Sequence, residues 1–351
     1  MNPTEAAGLS CPPPMPDPPR ILLGHGGGGR LTRELVARLM LPAFANPALD
    51  QRHDAAVVDA GGPRLAFTTD AHVVHPLFFP GGDLGSLAVI GTLNDLAMSG
   101  AHPAALSVAF ILEEGLALET LQRLVRSMRD AAAAAGVPVV TGDTKVVERG
   151  RGHGVFVTTA GIGWIRHGLA IGPSAVRPGD VVILSGDLGR HGVAILATRE
   201  GLQFESTIES DCASLVGPAL ALVDAGISVH CLRDLTRGGA AAALHEIATD
   251  AGVTLSLEES SIPVRGDVRA ACELLGLDPL QVACEGRFAA VVPASQGDAA
   301  LDVLRRHPVS AGSVKVGTVS APGRVPVLLR SPLGPSRVLD PGSGEQLPRI
   351  C

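Results

Sequence analysis

Apolar and polar residues alternate along most of the chain with the periods of short helices and short strands. Within residues 21–168 this pattern predicts helices over 31–40, 84–99 and 118–135, and strands over 64–69, 104–111, 138–141 and 155–165. Gly100 and Gly136 follow the second and third helices, where a glycine commonly ends a helix. Helices and strands mixed without a strict strand–helix–strand repeat predict an α+β fold.

The pattern restarts after residues 171–174, where we place a domain boundary. Residues 1–20 are rich in proline and predict a disordered leader, and residues 336–351 predict a flexible tail. We therefore expect an N-terminal domain at 21–168 and a C-terminal α/β domain at 169–335. The second domain is predicted to contain helices over 190–200, 212–224, 239–249 and 296–306, and strands over 180–184, 253–257, 288–292, 313–319 and 325–329.

Composition limits the class of protein. Hydrophobic residues make up 46% of the 351 residues and charged ones 18%, which supports packed cores and excludes wholesale disorder. A formal charge of −7, with 3% aromatic residues and no tyrosine, argues against a nucleic-acid partner. Neither an apolar run of membrane-spanning length nor a signal peptide is apparent, so we expect a cytoplasmic protein. Six scattered cysteines without a C-x-x-C pair suggest neither a disulfide framework nor a zinc site.

A glycine-rich loop precedes the first predicted helix, in the sequence HGGGGR at 25–30. Gly26, Gly27, Gly28 and Gly29 expose backbone N–H groups, and the start of a helix adds partial positive charge, so the segment is a candidate anion site. It lacks the Lys-Ser/Thr ending of a Walker loop. A flexible entry loop is an equally good interpretation.

Five aspartates lie near the ends of predicted elements or in a predicted buried helix. Asp95 belongs to a helix that is apolar nearly all round, where an isolated charge would be too costly and must be paired or bound to a metal. Each of the others, taken alone, is equally consistent with a helix cap or an ion pair. Together they provide the hard oxygen ligands that suit Mg²⁺ and, with the glycine loop, a nucleoside triphosphate. The five are Asp54, Asp70, Asp95, Asp143 and Asp234.

Three further residues are candidates for chemistry. Lys145 and Lys315 are the only lysines in an arginine-rich chain, so a lysine retained beside Asp143 and two threonines favours a functional role. Glu285 precedes a strand in an apolar stretch and is either a base with a raised pKa or the partner of Arg287 in an ion pair. Cys351 ends the chain behind a run broken by glycine and proline, which predicts a thiol on a tether.

Several phrases together resemble the HypE family, the carbamoyl dehydratases of [NiFe] hydrogenase maturation. This family lies in the superfamily of aminoimidazole ribonucleotide synthetase and selenophosphate synthetase. The resemblance runs from about residue 21 to residue 351, and a terminal PRIC together with GDTK is highly specific to the family. The phrases are HGGGG (25–29), TDAHVV (69–74), PLFFPGG (76–82), GTLNDLAMSG (91–100), TGDTKVV (141–147) and PRIC (348–351).

The resemblance implies a homodimer in which the two N-terminal domains join their sheets into a β-barrel, with ATP held between the domains. It also implies that a carbamoyltransferase, HypF, loads the terminal cysteine as an S-carboxamide. ATP-dependent dehydration would convert this group to S-cyanide, which passes to iron on a HypC–HypD complex.

Residue roles are carried over from the matching phrases. The resemblance assigns Asp54, Asp70, Asp95 and Asp234 to Mg²⁺-ATP, and Cys351, Lys145 and Glu285 to the dehydration. His53 stands where relatives often have an acidic residue, which lowers the expected number of carboxylates by one. The residues expected to contact the nucleotide are Gly26, Gly27, Gly28, Gly29, Thr69, Asp70, Asn94, Asp95, Gly142, Asp143 and Thr144.

Two other functions remain open from the residues alone. One is another ATP-dependent kinase or synthetase of the same superfamily with an incidental terminal cysteine. The other is a non-catalytic nucleotide-binding scaffold whose tail docks a partner.

Overall fold

The computed structural model describes residues 29–44, 49–58, 61–202, 207–332, 334–342, 347 and 349–351, so the predicted leader and Gly26, Gly27 and Gly28 lie outside the described residues. The helices of the first half are α1 (Arg30–Leu35), α2 (Leu41–Phe44), α3 (Leu84–Met98) and α4 (Leu118–Ala135), and a π-helical segment, Val36–Met40, joins the first two. Its strands are β1 (Ala56–Val58), β2 (Leu65–His72), β3 (Phe78–Phe79), β4 (Gly82–Asp83), β5 (Ala101–Glu113), β6 (Val139–Val147) and β7 (Val155–Ile165).

Five of these strands form one sheet in the order β1-β2-β7-β5-β6, with a parallel pairing between β5 and β6. Helix α3 packs against the inner face of this sheet, and 12 of its 15 residues are buried. The helix begins at a capping box, because Oδ1 of Asp83 accepts a hydrogen bond from the backbone N–H of Ser86 at 2.9 Å. Asp95 is thereby carried on a buried helix, as its apolar surroundings predict.

The outer face of the same sheet is apolar and exposed. Phe67, Ile111, Ile162 and Trp164 have 47%, 43%, 38% and 37% of their surface exposed. Phe67 and Ile162 are directly paired across β2 and β7, so their side chains share this face. Exposed apolar faces of this kind are typical of interaction surfaces.

The second half is built on a seven-stranded sheet in the order β14-β13-β10-β12-β8-β11-β9. Alternate residues of its interior strand β8 enter two different cores: Val182 and Leu184 pack with helix α7, and Val181 and Ile183 pack with α6 and α9. Its helices are α5 (Arg190–Glu200), α6 (Val216–Asp224), α7 (Gly239–Ala251), α8 (Gly266–Leu275) and α9 (Gly297–Leu304). Its strands are β8 (Asp180–Leu184), β9 (Cys231–Asp234), β10 (Thr254–Glu258), β11 (Phe288–Pro293), β12 (Val314–Ser320), β13 (Val327–Arg330) and β14 (Ser336–Val338).

Most of the strongly periodic elements are found where the sequence predicts them, including α4, which ends at Gly136 with a φ of 68°. The strand predicted over 138–141 was too short, since β6 continues to Val147 and places Asp143 inside the strand. Helix α8 and the short strands β1, β3, β4, β9 and β14 were missed, and β14 lies in the segment predicted as tail. None of the helices in the described parts of the chain has the length and apolarity needed to cross a membrane.

Candidate active site

Four predicted carboxylates meet where the two halves of the chain face each other. Asp54 precedes β1, Asp70 lies on the inner face of β2, Asp95 on α3, and Asp234 at the end of β9. Thr68 helps to assemble them, because its hydroxyl lies 2.7 Å from Oδ2 of Asp95 and 3.1 Å from the backbone carbonyl of Asp54. Asp95 and Asp234 lie close enough for the charge of Asp234 to raise the pKa of Asp95.

Burial and mutual repulsion dominate the electrostatics of this cluster. Burial raises the pKa of Asp95 well above its usual range, and the charges of Asp234, Asp70 and Asp54 raise it further. Burial likewise raises the pKa values of Asp54 and Asp234, and Arg233 opposes both shifts. Arg233 lies 2.7 Å from Oδ1 of Asp54. Arg233 also pairs with Glu246 at 2.5 Å, so its charge is shared, and the carboxylates of the cluster favour a further cation.

The carboxylate oxygens of the cluster fit Mg²⁺ when other groups supply part of its coordination. Oδ2 of Asp54 is buried without a hydrogen-bond partner, so one carboxylate oxygen is available for a ligand. Among the described residues, however, no three His, Cys, Asp or Glu side chains are arranged to hold an ion by themselves. Mg²⁺ is usually held by one or two carboxylates together with waters and substrate phosphates. The cluster therefore suits Mg²⁺ that arrives with a phosphorylated substrate.

Glu285 belongs to the same electrostatic environment. Its side chain is buried, and Oε1 has no hydrogen-bond partner. Burial is the main cause that raises its pKa well above the usual range. The negative charges of Asp234, Asp70 and Asp211 raise it further. The alternative of an ion pair with Arg287 is wrong, since Arg287 binds Asp187 at 2.6 Å. Glu285 thus has the properties of a candidate proton acceptor.

Asn94 has a structural role beside Glu285. Its amide nitrogen donates to the backbone carbonyls of Ala213 at 3.1 Å and Glu285 at 3.3 Å, and its oxygen accepts the N–H of Leu215 at 2.7 Å. These bonds join α3 to the C-terminal half. The predicted contact of Asn94 with a nucleotide stays a prediction.

Lys145 lies elsewhere in the described chain. It pairs with Asp143 at 2.6 Å on β6, and the two side chains are 70% and 64% exposed. Lys145 is opposite the outward-facing Ile111, whereas Asp70 lies on the inner face with the buried Thr68. Three strand spacings, about 14 Å, separate β6 from β2. Lys145 and Asp143 therefore do not join the carboxylates of their own chain.

The remaining predicted nucleotide contacts have local structural explanations. Thr69 faces outward from β2, and its hydroxyl donates to the carbonyl of Thr159 at 3.1 Å. Gly142 lies so close to β5 that a Cβ atom there would be 2.2 Å from the carbonyl oxygen of Val108. Thr144 is on the same exposed strand. None of these observations assigns a nucleotide contact.

A cavity of about 1010 Å³ opens beside the cluster. Its walls include Arg30 at the start of α1, and Arg233 and His53, which flank Asp54. Gly29 immediately precedes α1, so the described end of the glycine loop leads to this cavity. Its lining also includes Glu34, Glu246, Asp250 and Asp340, so the walls of the cavity carry charges of both signs.

The described end of the tail pairs with the segment that follows β2. Val73 donates its N–H to the carbonyl of Cys351 at 3.0 Å, and His75 donates to that of Arg349 at 3.1 Å. Arg199 clamps both segments, donating to the carbonyls of Arg349 at 2.8 Å and His75 at 2.9 Å. The terminal cysteine is therefore docked beside the strand that carries Asp70.

The side chains of the tail also pack into the body of the protein. Leu347 and Ile350 are buried, and Cys351 contacts the core cluster around them. A Cβ on Gly192 would lie 3.1 Å from Leu347, so α5 approaches the tail closely. The predicted mobility of this segment stays a prediction, and the structure shows one docked position.

Comparison with known proteins identifies the family. Residues 52–165 match the family described as AIR synthase related protein, N-terminal domain, and residues 177–329 match the corresponding C-terminal domain. The carbamoyl dehydratase HypE of Cupriavidus necator is 52% identical over 336 residues, which are 95% of this chain and 95% of that protein. The chain belongs to the HypE family.

Two solved HypE structures have the same fold. One is a HypE–HypF complex, with 41% identity, a TM-score of 0.83, and coverage of 87% of this chain and 99% of that one. The other is HypE in complex with ATP, with 45% identity, a TM-score of 0.79, and coverage of 95% and 100%. The resemblance noted from the short phrases is thus confirmed over nearly the whole chain.

Several residues of this HypE site were missed from the sequence. Thr68 lies two positions before Asp70, and strand alternation alone would have placed both on one face. Arg233 adjoins Asp234 but was not identified as a candidate. Asp211 and His191 gave no signal, because their partners are distant in the sequence.

Proposed function

We propose that this HypE protein dehydrates a carbamoyl group carried on its own terminal cysteine. The substrate is an S-carboxamide on Cys351, the product is an S-cyanide, and ATP is consumed to ADP and phosphate. The docking of Cys351 beside the strand that carries Asp70 is the observation that carries this proposal.

The chemistry requires an activated oxygen and two proton transfers. Phosphorylation of the carbamoyl oxygen by ATP, with loss of one N–H proton, makes that oxygen a leaving group. Departure of phosphate and loss of the second N–H proton then complete the carbon–nitrogen triple bond. Glu285 is a candidate to accept such a proton, because its Oε1 is buried without a hydrogen-bond partner and burial raises its pKa.

The acidic cluster supplies the other half of the machinery. Asp54, Asp70, Asp95 and Asp234 would hold Mg²⁺ with the phosphates of ATP. The ion, when bound, neutralises charge on the phosphates. Binding the ion would also relieve the repulsion between the carboxylates, which would favour the binding of Mg²⁺-ATP.

Lys145 would join the site from a second copy of the chain. In one chain it lies on the opposite sheet face from Asp70, and three strand spacings, about 14 Å, separate β6 from β2. The apolar outer face that carries Phe67, Ile111, Ile162 and Trp164 supports a homodimer, with the β-barrel as its geometry. Lys145 would then orient or neutralise the carbamoyl oxygen of the partner chain.

The family suggests the reactions before and after this step. HypF would load the carbamoyl group, in keeping with the solved complex of a related HypE with HypF. A HypC–HypD complex would receive the cyanide for the [NiFe] hydrogenase iron, and the process would be cytoplasmic.

Intact and peptide mass spectrometry tests the proposal. The protein is incubated with HypF, carbamoyl phosphate and ATP, and the expected product is a carbamoyl adduct on Cys351 that loses one water when ATP and Mg²⁺ are present. Cys351→Ser is the matched control and should remain unmodified. An adduct on another cysteine, or a Cys351 adduct that keeps its water with ATP, would contradict the proposal.

A further inference from the structure

We propose that His191 is a positioning residue that fixes the terminal cysteine by holding the backbone carbonyl of Ile350. Neighbouring residues 210 and 211 keep this contact in register with Glu285. The retention of the tail is independent of the proposed function, whereas the catalytic consequence rests on it.

His191 is fully buried on α5 and uses both ring nitrogens. Nε2 lies 2.5 Å from the carbonyl oxygen of Ile350, and Nδ1 lies 2.8 Å from the hydroxyl of Ser210. A carbonyl oxygen only accepts hydrogen bonds, so Nε2 must carry a proton. Burial lowers the pKa of His191 and favours the neutral ring, in which Nδ1 accepts the Ser210 hydroxyl proton. The two bonds therefore select one tautomer.

The ring is also held in place by packing. Phe79 meets it edge-on, with the ring centroids 5.5 Å apart and the planes at 89°. The backbone N–H of Ser210 donates to the carbonyl of Pro80 at 2.8 Å. The histidine that binds the tail is consequently anchored to both halves of the protein.

The residue after Ser210 contacts the candidate base. Oδ1 of Asp211 accepts the backbone N–H of Glu285 at 3.1 Å. A Cβ on Gly286 would lie 1.9 Å from the carbonyl oxygen of Asp211, so the two segments are in direct backbone contact. Ser210 and Asp211 thus link the residue that holds the tail to the residue that would accept its proton.

This linkage gives His191 a role beyond packing. A proton acceptor works only within hydrogen-bond reach of the proton, and misplacement by about 1 Å can slow a reaction about a hundredfold. The carbonyl of Ile350 is the backbone carbonyl directly before the reacting residue, Cys351. Holding that carbonyl limits where the sulfur and its carbamoyl group lie relative to Glu285.

Two conservative substitutions separate the two ring nitrogens. The amide of glutamine reaches as far as Nε2, so His191→Gln keeps a donor for Ile350, whereas the shorter amide of His191→Asn reaches only as far as Nδ1. Site-resolved mass spectrometry measures the rate at which iodoacetamide alkylates Cys351 in the full chain without HypF or ATP. His230→Phe is the control, since it removes a partly buried histidine bond to Asp180 away from the tail.

We expect His191→Asn to raise the alkylation rate of Cys351 about tenfold, because one buried carbonyl loses its donor. His191→Gln should stay near the wild-type rate, as should His230→Phe. Equal rates for Asn and Gln, or no change in either, would overturn the proposal, because a purely structural role does not distinguish the nitrogens. Melting temperatures measured in parallel confirm that each variant is folded.

Single-turnover dehydration of the carbamoylated protein tests the catalytic part. The rate should fall about tenfold or more in His191→Asn, with the KM for ATP unchanged, and recover in His191→Gln. A wild-type protein that is carbamoylated but never dehydrated would refute the proposed function while leaving the alkylation result intact. Normal dehydration in His191→Asn with faster alkylation would refute the catalytic part alone.

Discussion

The candidate site has an acidic half, formed by the carboxylate cluster and Glu285, and a lysine half, formed by Lys145 and Asp143. One chain builds the acidic half more completely than the lysine half. Asp54, Asp95 and Asp234 converge from separate elements in surroundings that raise their pKa values, and the buried Glu285 lies in the same environment. Lys145 is 70% exposed on the edge strand β6 and pairs with its near neighbour Asp143. The first group is organised within a monomer, whereas the second lies on a surface.

The difference shows what each half lacks. Buried carboxylates with raised pKa values have an excess of negative charge, which a bound cation would balance. The exposed strand lies beside apolar residues that a second sheet would cover. One half therefore needs a ligand, and the other needs a partner surface. The proposed homodimer, with Mg²⁺-ATP bound, would meet both requirements.

The largest expected effect on dehydration activity comes from substituting Lys145 in one chain of a dimer and Cys351 in the other. Homodimers of Lys145→Met should dehydrate at least about a hundredfold more slowly, and Cys351→Ala should be inactive. If Lys145 acts across the interface, a heterodimer of the two variants restores one complete site, with the thiol from one chain and the lysine from the other. Activity of tagged, purified heterodimers measures this restoration.

The control for complementation uses two residues of the same half. A heterodimer of Cys351→Ala with Glu285→Gln should remain inactive, because Glu285 and the docked tail belong to one chain. Restored activity in this control, or none in the heterodimer with Lys145→Met, would contradict the assignment of Lys145 to the partner chain.

A smaller effect is expected on the acidic half from Asp95→Asn. The amide keeps an acceptor for Thr68, found 2.7 Å from Oδ2 of Asp95, but removes a like charge from the cluster. In the presence of a chelator the variant should melt about 2–4 °C higher, corresponding to about 1 kcal/mol. It should also lose the stabilisation that Mg²⁺-ATP gives to the wild type. Differential scanning fluorimetry measures both quantities.

Asp298→Asn is the matched control for this substitution. Asp298 is exposed and pairs with Lys315 at 2.7 Å, so its loss should change neither the melting temperature nor the response to Mg²⁺-ATP appreciably. A metal-free Asp95→Asn protein that melts below the wild type would show that the carboxylate is compensated within the chain.

The sequence predicted the acidic half well and the lysine half incompletely. The apolar pattern around Asp95 predicted a buried helix, and the structure confirms it, with 12 of the 15 helix residues buried and Asp95 itself partly exposed. The position of Lys145 depends on strand order, since β6 is parallel to β5 and lies at the sheet edge. The order of motifs along the sequence does not show which strands pair in the folded sheet. The bond of His191 to Ile350 spans 159 residues and was likewise invisible.

The smallest expected effect is a pH dependence of folding stability, and it arises from Asp95 in the acidic half. Asp95 has a pKa raised by burial and by neighbouring carboxylates, so its folded state holds a proton more tightly than the unfolded state. Stability from this group is fully present below the unfolded pKa, about 4, and is lost as pH rises toward the folded pKa. Asp95→Asn cannot show this loss.

The measured quantity is the difference in melting temperature between Asp95→Asn and the wild type in chelator, from pH 5 to pH 8. Buried His53, His72 and His191 have lowered pKa values and act in the opposite direction, but they are common to both proteins and cancel. The advantage of the variant should therefore grow with pH. A difference that is constant across this range would mean that Asp95 carries the same charge in both states, and the excess negative charge of the cluster would then reside on its other carboxylates.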